Sequence, residues 1–271
     1  MEPLTDRARA LADRVRRADP TVSFEAESTG EEAAPALAPL TASPDWHVRE
    51  SLALALEGIA TSLARRKATD DLVEDTLVAL TADEKPVVRR TALRALTHVA
   101  TARSTPALLA IATTATDPHE RFDAIRPLGT RALLSLEDMR AHHDREPHHH
   151  AARGWLLARA GRGDRTAQAA YNKLLADDRT RDVAPHLRDH LPHLEGLWLV
   201  PGLFTWLGEP FDALFRGHGA TPESLRLCDC AVIALATRAG LTLPFPVGPR
   251  HFTGAELEQA REAARPFLDT P

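Results

Sequence analysis

The chain has 271 residues, a formal net charge of −5, two cysteines and 5% aromatic residues, enough length to bury a sizeable core without disulfide staples. Cys228 and Cys230 are too few for a zinc cage and too close for a framework bridge, so a reducing compartment is expected. An acidic balance and the lack of a bilayer-length apolar run argue against a polyanion-coating protein and a membrane protein, and a cytoplasmic location is expected.

With 47 Ala, 38 Leu and a single Tyr the composition is helical. Along the chain, Thr5 to Arg17 is predicted as an amphipathic capping helix, and the acidic, turn-rich stretch Phe24 to Glu32 as a linker. Cap residues followed by proline, at Ser43-Pro44, Thr105-Pro106, Asp117-Pro118 and Thr221-Pro222, predict helix starts. Behind them apolar residues recur at three and four: Val48, Leu52, Ala55, Leu56, Ile59, and again Val88, Ala92, Ala95, Leu96, Val99. Gly129, Gly161 and Gly240 mark stops, the apolar run Leu197 to Leu207 with Trp198 and Trp206 reads as core filling, and Thr253 to Leu268 as a second capping helix.

Two of these segments repeat each other. Trp46 to Leu56 aligns with Pro86 to Leu96 at an offset of 40 residues, and shorter copies follow at Asp117 to Gly129 and His149 to Asp164. A Val-Arg step, then small residues and an Ala-Leu pair, resembles the HEAT-repeat family as found in bacterial HEAT-like proteins; Leu225 to Ala236 resembles a fifth such helix. The resemblance implies an all-α right-handed solenoid of about five helical hairpins with a capping helix at each end, organised as 1–32 (cap and linker), 33–240 (repeats) and 241–271 (loop and cap). It also implies a ladder in which Arg49 and Arg89 meet acidic partners near the turns.

Three functional readings follow. The first is a non-catalytic scaffold or adaptor that binds a protein or peptide on its concave face and needs no cofactor; Trp46, Arg90, Arg94, Arg126, Arg153 and Trp155 are its candidate contacts. The second helices carry eight arginines, Arg49, Arg89, Arg90, Arg94, Arg121, Arg126, Arg153 and Arg159, against five carboxylates, a positive stripe on an acidic chain. The second reading starts from Gly154-Trp155 and nearby Arg153, which resemble a segment of the HEAT-like DNA glycosylases that excise alkylated bases. It requires Arg153, Trp155 and Glu50 to converge, and the net charge disfavours nucleic acid.

The third reading is a metal-dependent enzyme built on His142, His143, His148, His149 and His150, because imidazole is the commonest transition-metal ligand. His186, His190 and His193 form a second set near Asp189, at helical spacing. His119-Glu120 resembles the dyads of the deoxyhypusine hydroxylases, which need four to hold two irons. This chain has one, so that centre is not assembled. Cys228 and Cys230, in a helix predicted to be buried, read as small hydrophobes.

Overall fold

In the computed structural model, residues 5–178, 190–191, 194–208 and 225–268 are described. Fourteen α-helices and no β-strand occur among them. The chain divides into two compact units, Met1–Ala158 and Arg159–Pro271, a division that the repeat spacing does not mark.

The first unit opens with α1, Asp6–Arg16, whose first turn is capped by the Thr5 hydroxyl accepting from the Ala8 N–H. It continues through α2, Val22–Thr29, and α3, Ala34–Leu37, the latter flanked by 3-10 turns at Glu31–Ala33 and Ala38–Ala42. Residues 24–29, expected as linker, are therefore helical. Val22 and Ala26 are buried and α2 packs along α4, Trp46–Arg65, so an acidic surface does not stop the segment from folding onto a neighbour.

From α4 onward, the sequence alternates helices of two kinds. The helices α4, α6 (Pro86–Val99) and α8 (Pro118–Thr130) pack successively on one another. Those in between, α5 (Asp71–Leu80) and α7 (Thr105–Thr114), return the chain and pack on the helices that follow them; α9 (Leu136–Arg145) then precedes α10 (His149–Gly161). Each helix of the α4, α6, α8 series buries its period-3.6 stripe: Leu52, Leu56, Ile59 and Leu63; Val88, Ala92, Leu96 and Val99; Ile125 and Leu128.

Caps set the starts. Asp117 caps α8 as expected, with Pro118 as its first residue, whereas α4 begins two residues after Pro44 because the Asp45 carboxylate accepts the His47 N–H at 2.9 Å. The Thr221-Pro222 start lies outside the described residues.

Close approach is built in by glycine. A Cβ on Gly58 of α4 would sit 2.1 Å from the Ser23 carbonyl oxygen on α2, and one on Gly129 of α8 would sit 2.5 Å from Ala158 Cβ on α10.

The second unit contains α11 (Arg165–Asp178), α12 (Val200–Phe204), α13 (Leu227–Thr237) and α14 (Gly254–Ala264). Trp206 is fully buried and its indole N–H donates to the Leu175 carbonyl at 2.9 Å, as core filling requires, whereas Trp198 is only partly buried and Leu197 is exposed, so the run as a whole is not core. Cys228 and Cys230 are buried on α13.

Candidate partner-binding face

The arginines of α4, α6 and α8 divide into two groups. At the Val-Arg position the guanidinium is consumed by the protein. Arg49 donates through Nε to Asp83 Oδ2 at 2.5 Å, through Nη2 to Asp83 Oδ1 at 3.1 Å and through Nη1 to the Ser43 carbonyl at 2.7 Å. Arg89 reaches Glu120 at the start of α8 and the carbonyls of Asp83 and Glu84, and Arg121 lies 3.2 Å from Glu146 in the next turn. This is the internal ladder expected of Arg49 and Arg89, with a third rung. Glu120, half of the His-Glu dyad, is thus engaged with Arg89.

One residue and one turn beyond the ladder the pattern changes. Arg90 donates only Nε, to Asp123 Oδ2 on α8 at 2.8 Å, and its terminal nitrogens make no hydrogen bond among the described residues. Arg94 stands 3.7 Å from Glu57 on α4, with a single long bond from Nη2 to Thr91 Oγ1 at 3.5 Å. Their side chains are 43% and 44% exposed, on a helix whose opposite side is core.

Arg126 on α8 is mostly buried, 3.9 Å from Asp123 Oδ1. Burial pushes the Asp123 carboxyl above its ordinary value against the pull of Arg90, and burial likewise raises Glu57 against Arg94 and Arg126. Asp123 is sunk and Glu57 largely so, while Arg90 and Arg94, unlike Arg126, project from the stripe.

The other expected contacts are placed differently. Trp46 is the first residue of α4, partly exposed and stacked on His47 at 3.7 Å between ring centroids. Arg153 is partly buried on α10, where its charge bears on His150. Trp155 is a correction to the expected contact set: it is 1% exposed, in the core, with His142 stacked on it at 5.1 Å. An indole at a core position buries more apolar area than an alanine would, and Gly154 beside it lets Phe122 and Ile125 of α8 come close. Glu50 belongs to α4, whereas Arg153 and Trp155 belong to α10. Trp155, one of the three residues the glycosylase reading needs in a groove, is enclosed in the core.

The histidine segment does not form the ligand set expected of it. His142 and His143 belong to the last turns of α9, His149 and His150 open α10, and His148 immediately precedes it. His142 is against Trp155, His148 stacks on His149 at 4.8 Å, and His150 packs on His119 and Phe122 at 4.3 and 4.7 Å. Among the described residues no three His, Cys, Asp or Glu side chains are grouped to hold a metal ion. His150 is committed to packing: burial, then the nearby His119, Arg153, His149 and His148, lower its pKa to about 4. His186, Asp189 and His193 lie outside the described residues, and His190 is buried near Tyr171.

One cluster carries no sequence signal at all. Asp229, fully buried at the third position of α13, accepts from Arg226 Nε at 2.9 Å and from the Phe252 N–H at 2.9 Å, and lies 2.7 Å from His251 Nδ1. It ties the stretch before α14 to α13, and the 22-residue gap to His251 matches no motif spacing.

No protein-family model matches the chain, and no curated protein matches it. Among solved structures, an engineered protein from the Northeast Structural Genomics Consortium is similar at 18% identity with a TM-score of 0.36, covering 96% of this chain and 89% of that one. Likeness of that degree leaves the reading of the site to the residues themselves. Among the described residues no helix is long and apolar enough to cross a membrane.

Proposed function

We propose that this protein is a non-catalytic scaffold or adaptor built from HEAT-like hairpins, which binds a protein or peptide partner on the face formed by α4, α6 and α8. The observation that carries this reading is the contrast within one pair of neighbours: Arg89 spends its guanidinium on Glu120 and two carbonyls, while Arg90 and Arg94 hold theirs half exposed with donors unused. A stability role would use those donors internally. Preformed arginines anchored on one side and open on the other suit recognition, because the anchoring interaction reduces the entropy lost when a ligand docks.

The alternation of helices and the repeated Val-Arg ladder support the HEAT-like solenoid form of the reading. The test is a titration and a capture experiment. Duplex DNA carrying an abasic analogue should not bind at low or moderate salt, and partners retained by the wild-type chain from its native host should be depleted when Arg94→Gln is used. Salt-sensitive micromolar binding to the duplex, lost in Arg153→Ala, would instead favour the nucleic-acid reading.

A further inference from the structure

The exposed face does not end at α4. On α2, Val22 and Ala26 are buried, and Ser23 and Glu27 approach Gly58 of α4. One position on from Ser23, the helical turn places Phe24 on the side away from the core, where it is 84% exposed. No other large apolar side chain among the described residues is so exposed. On α6 the buried stripe of Val88, Ala92, Leu96 and Val99 likewise leaves Arg90 and Arg94 on the side away from the core. Because Ser23 is level with Gly58 and Arg94 is level with Glu57, Phe24 and Arg94 stand at about the same height along their helices, two helix positions apart.

What the arginines on this line have left to donate differs from end to end. Every arginine on this line has a carboxylate beside it, but on the α2 side Glu31 takes both terminal nitrogens of Arg66 and Glu27 one of Arg65, whereas the terminal nitrogens of Arg90 make no hydrogen bond among the described residues and Arg94 makes a single long one. A ligand crossing the helices is therefore given a direction, with its carboxylates turned away from α2 and toward α6. Neighbouring helix axes pack about 9 Å apart, so α2 to α6 spans about 18 Å. An extended peptide advances about 3.3 Å per residue, which makes the crossing about five to six residues long.

We propose that this face binds an extended acidic segment of a partner protein, a large apolar side chain seated on Phe24 and a pair of carboxylates five to six residues away on Arg90 and Arg94. This deepens the partner-binding reading above and rests on it. Planar guanidiniums with free terminal nitrogens match carboxylates in two-point contact, and an exposed phenyl ring supplies the apolar anchor that a purely ionic contact lacks.

The experiment is selection of random 12-residue peptides displayed on phage against the full chain, with Phe24→Ala, Arg90→Gln and Arg94→Gln in parallel. Enriched peptides should share a large apolar residue and two acidic residues at the stated separation. A synthetic peptide of that consensus should bind the arginine variants at least tenfold and Phe24→Ala about fivefold more weakly. Phe24 touches little of the protein, so its variant keeps the test sound even if loss of Arg90 loosens Asp123. Enriched peptides that are basic, or whose binding ignores all three substitutions, would overturn the acidic-segment assignment and leave partner binding standing. No enrichment of any sequence would overturn both.

Discussion

Asp83, in the turn before α6, grips Arg49 of α4 with both carboxylate oxygens, at 2.5 Å from Nε and 3.1 Å from Nη2. Both side chains are almost entirely buried. Burial alone would raise the Asp83 pKa, but the hydrogen bonds from Arg49 and from the Lys85 N–H hold it below the usual carboxylate value. Removing one partner strands the other charge, so Asp83→Ala is expected to lower unfolding free energy by about 3 kcal/mol. The double replacement Arg49→Met with Asp83→Leu should recover most of that loss, since no buried charge remains. Urea unfolding of the two variants beside the wild type checks it; a double variant no better than the single would mean that the pair is worth more than its desolvation.

The approach of α2 to α4 gives a second prediction. Intrinsic preference favours alanine over glycine in a helix by about 1 kcal/mol, yet a Cβ on Gly58 would meet the Ser23 carbonyl carbon at 2.9 Å as well as its oxygen. Both atoms are backbone, so relief requires moving a whole helix. Gly58→Ala is expected to destabilise by about 2 kcal/mol net, read from the thermal midpoint. A raised midpoint would show that α2 is not held against α4.

Much of the helical plan was legible because its signals are local. Asp117-Pro118 specifies a cap and a first turn, and Arg49 and Arg89 recur in register with acidic turns, so helices and ladder could be anticipated. The short α2 escaped, since only Val22 and Ala26 of its eight residues face the core and Phe24 points the other way, which blurs the apolar stripe. Which arginines remain open was not legible either. Arg89 and Arg90 are adjacent and chemically identical, and only the positions of Glu120 and Asp123 on the next helix decide which is used up. Trp155 reads from the sequence as a contact for a similar reason: its burial depends on how α8 meets Gly154.

Mild acid should weaken the junction of α8 and α10. His150 packs on His119 and Phe122, with ring centroids 4.3 and 4.7 Å apart. Burial, followed by the neighbouring His119, Arg153, His149 and His148, holds the folded pKa of His150 at about 4, against about 6.5 for an exposed imidazole. The unfolded chain therefore takes up the proton first as pH falls. The stability from neutral His150 is complete above about pH 6.5 and is lost progressively toward pH 4. Allowing for its partial exposure, about 1 kcal/mol should disappear between pH 7.5 and pH 5. His150→Gln should flatten that part of the urea-midpoint profile; an unchanged slope would assign the acid sensitivity to other groups, such as His98, whose pKa is also lowered by burial and by Arg126 and Arg131.

In the second unit, Asp229 is the residue whose loss should be felt most. Burial opposes its ionisation, but bonds from Arg226, the Phe252 N–H and His251 outweigh that and keep its carboxyl well below the ordinary range. Its contribution is therefore present above about pH 4 and is lost only in stronger acid, the reverse placement from His150. Asp229→Ala would leave the Phe252 N–H without its acceptor and the Arg226 guanidinium without its carboxylate, an expected cost of about 3 kcal/mol. His251→Ala should cost less than about 1 kcal/mol, because that ring is half exposed and the carboxylate keeps its other donors. Amide hydrogen exchange separates a local from a general effect. Asp229→Ala should speed exchange at Phe252 and in the first turn of α14 while α4 to α8 keep their protection, and equal acceleration throughout would mean that this carboxylate supports more than the seam between α13 and α14.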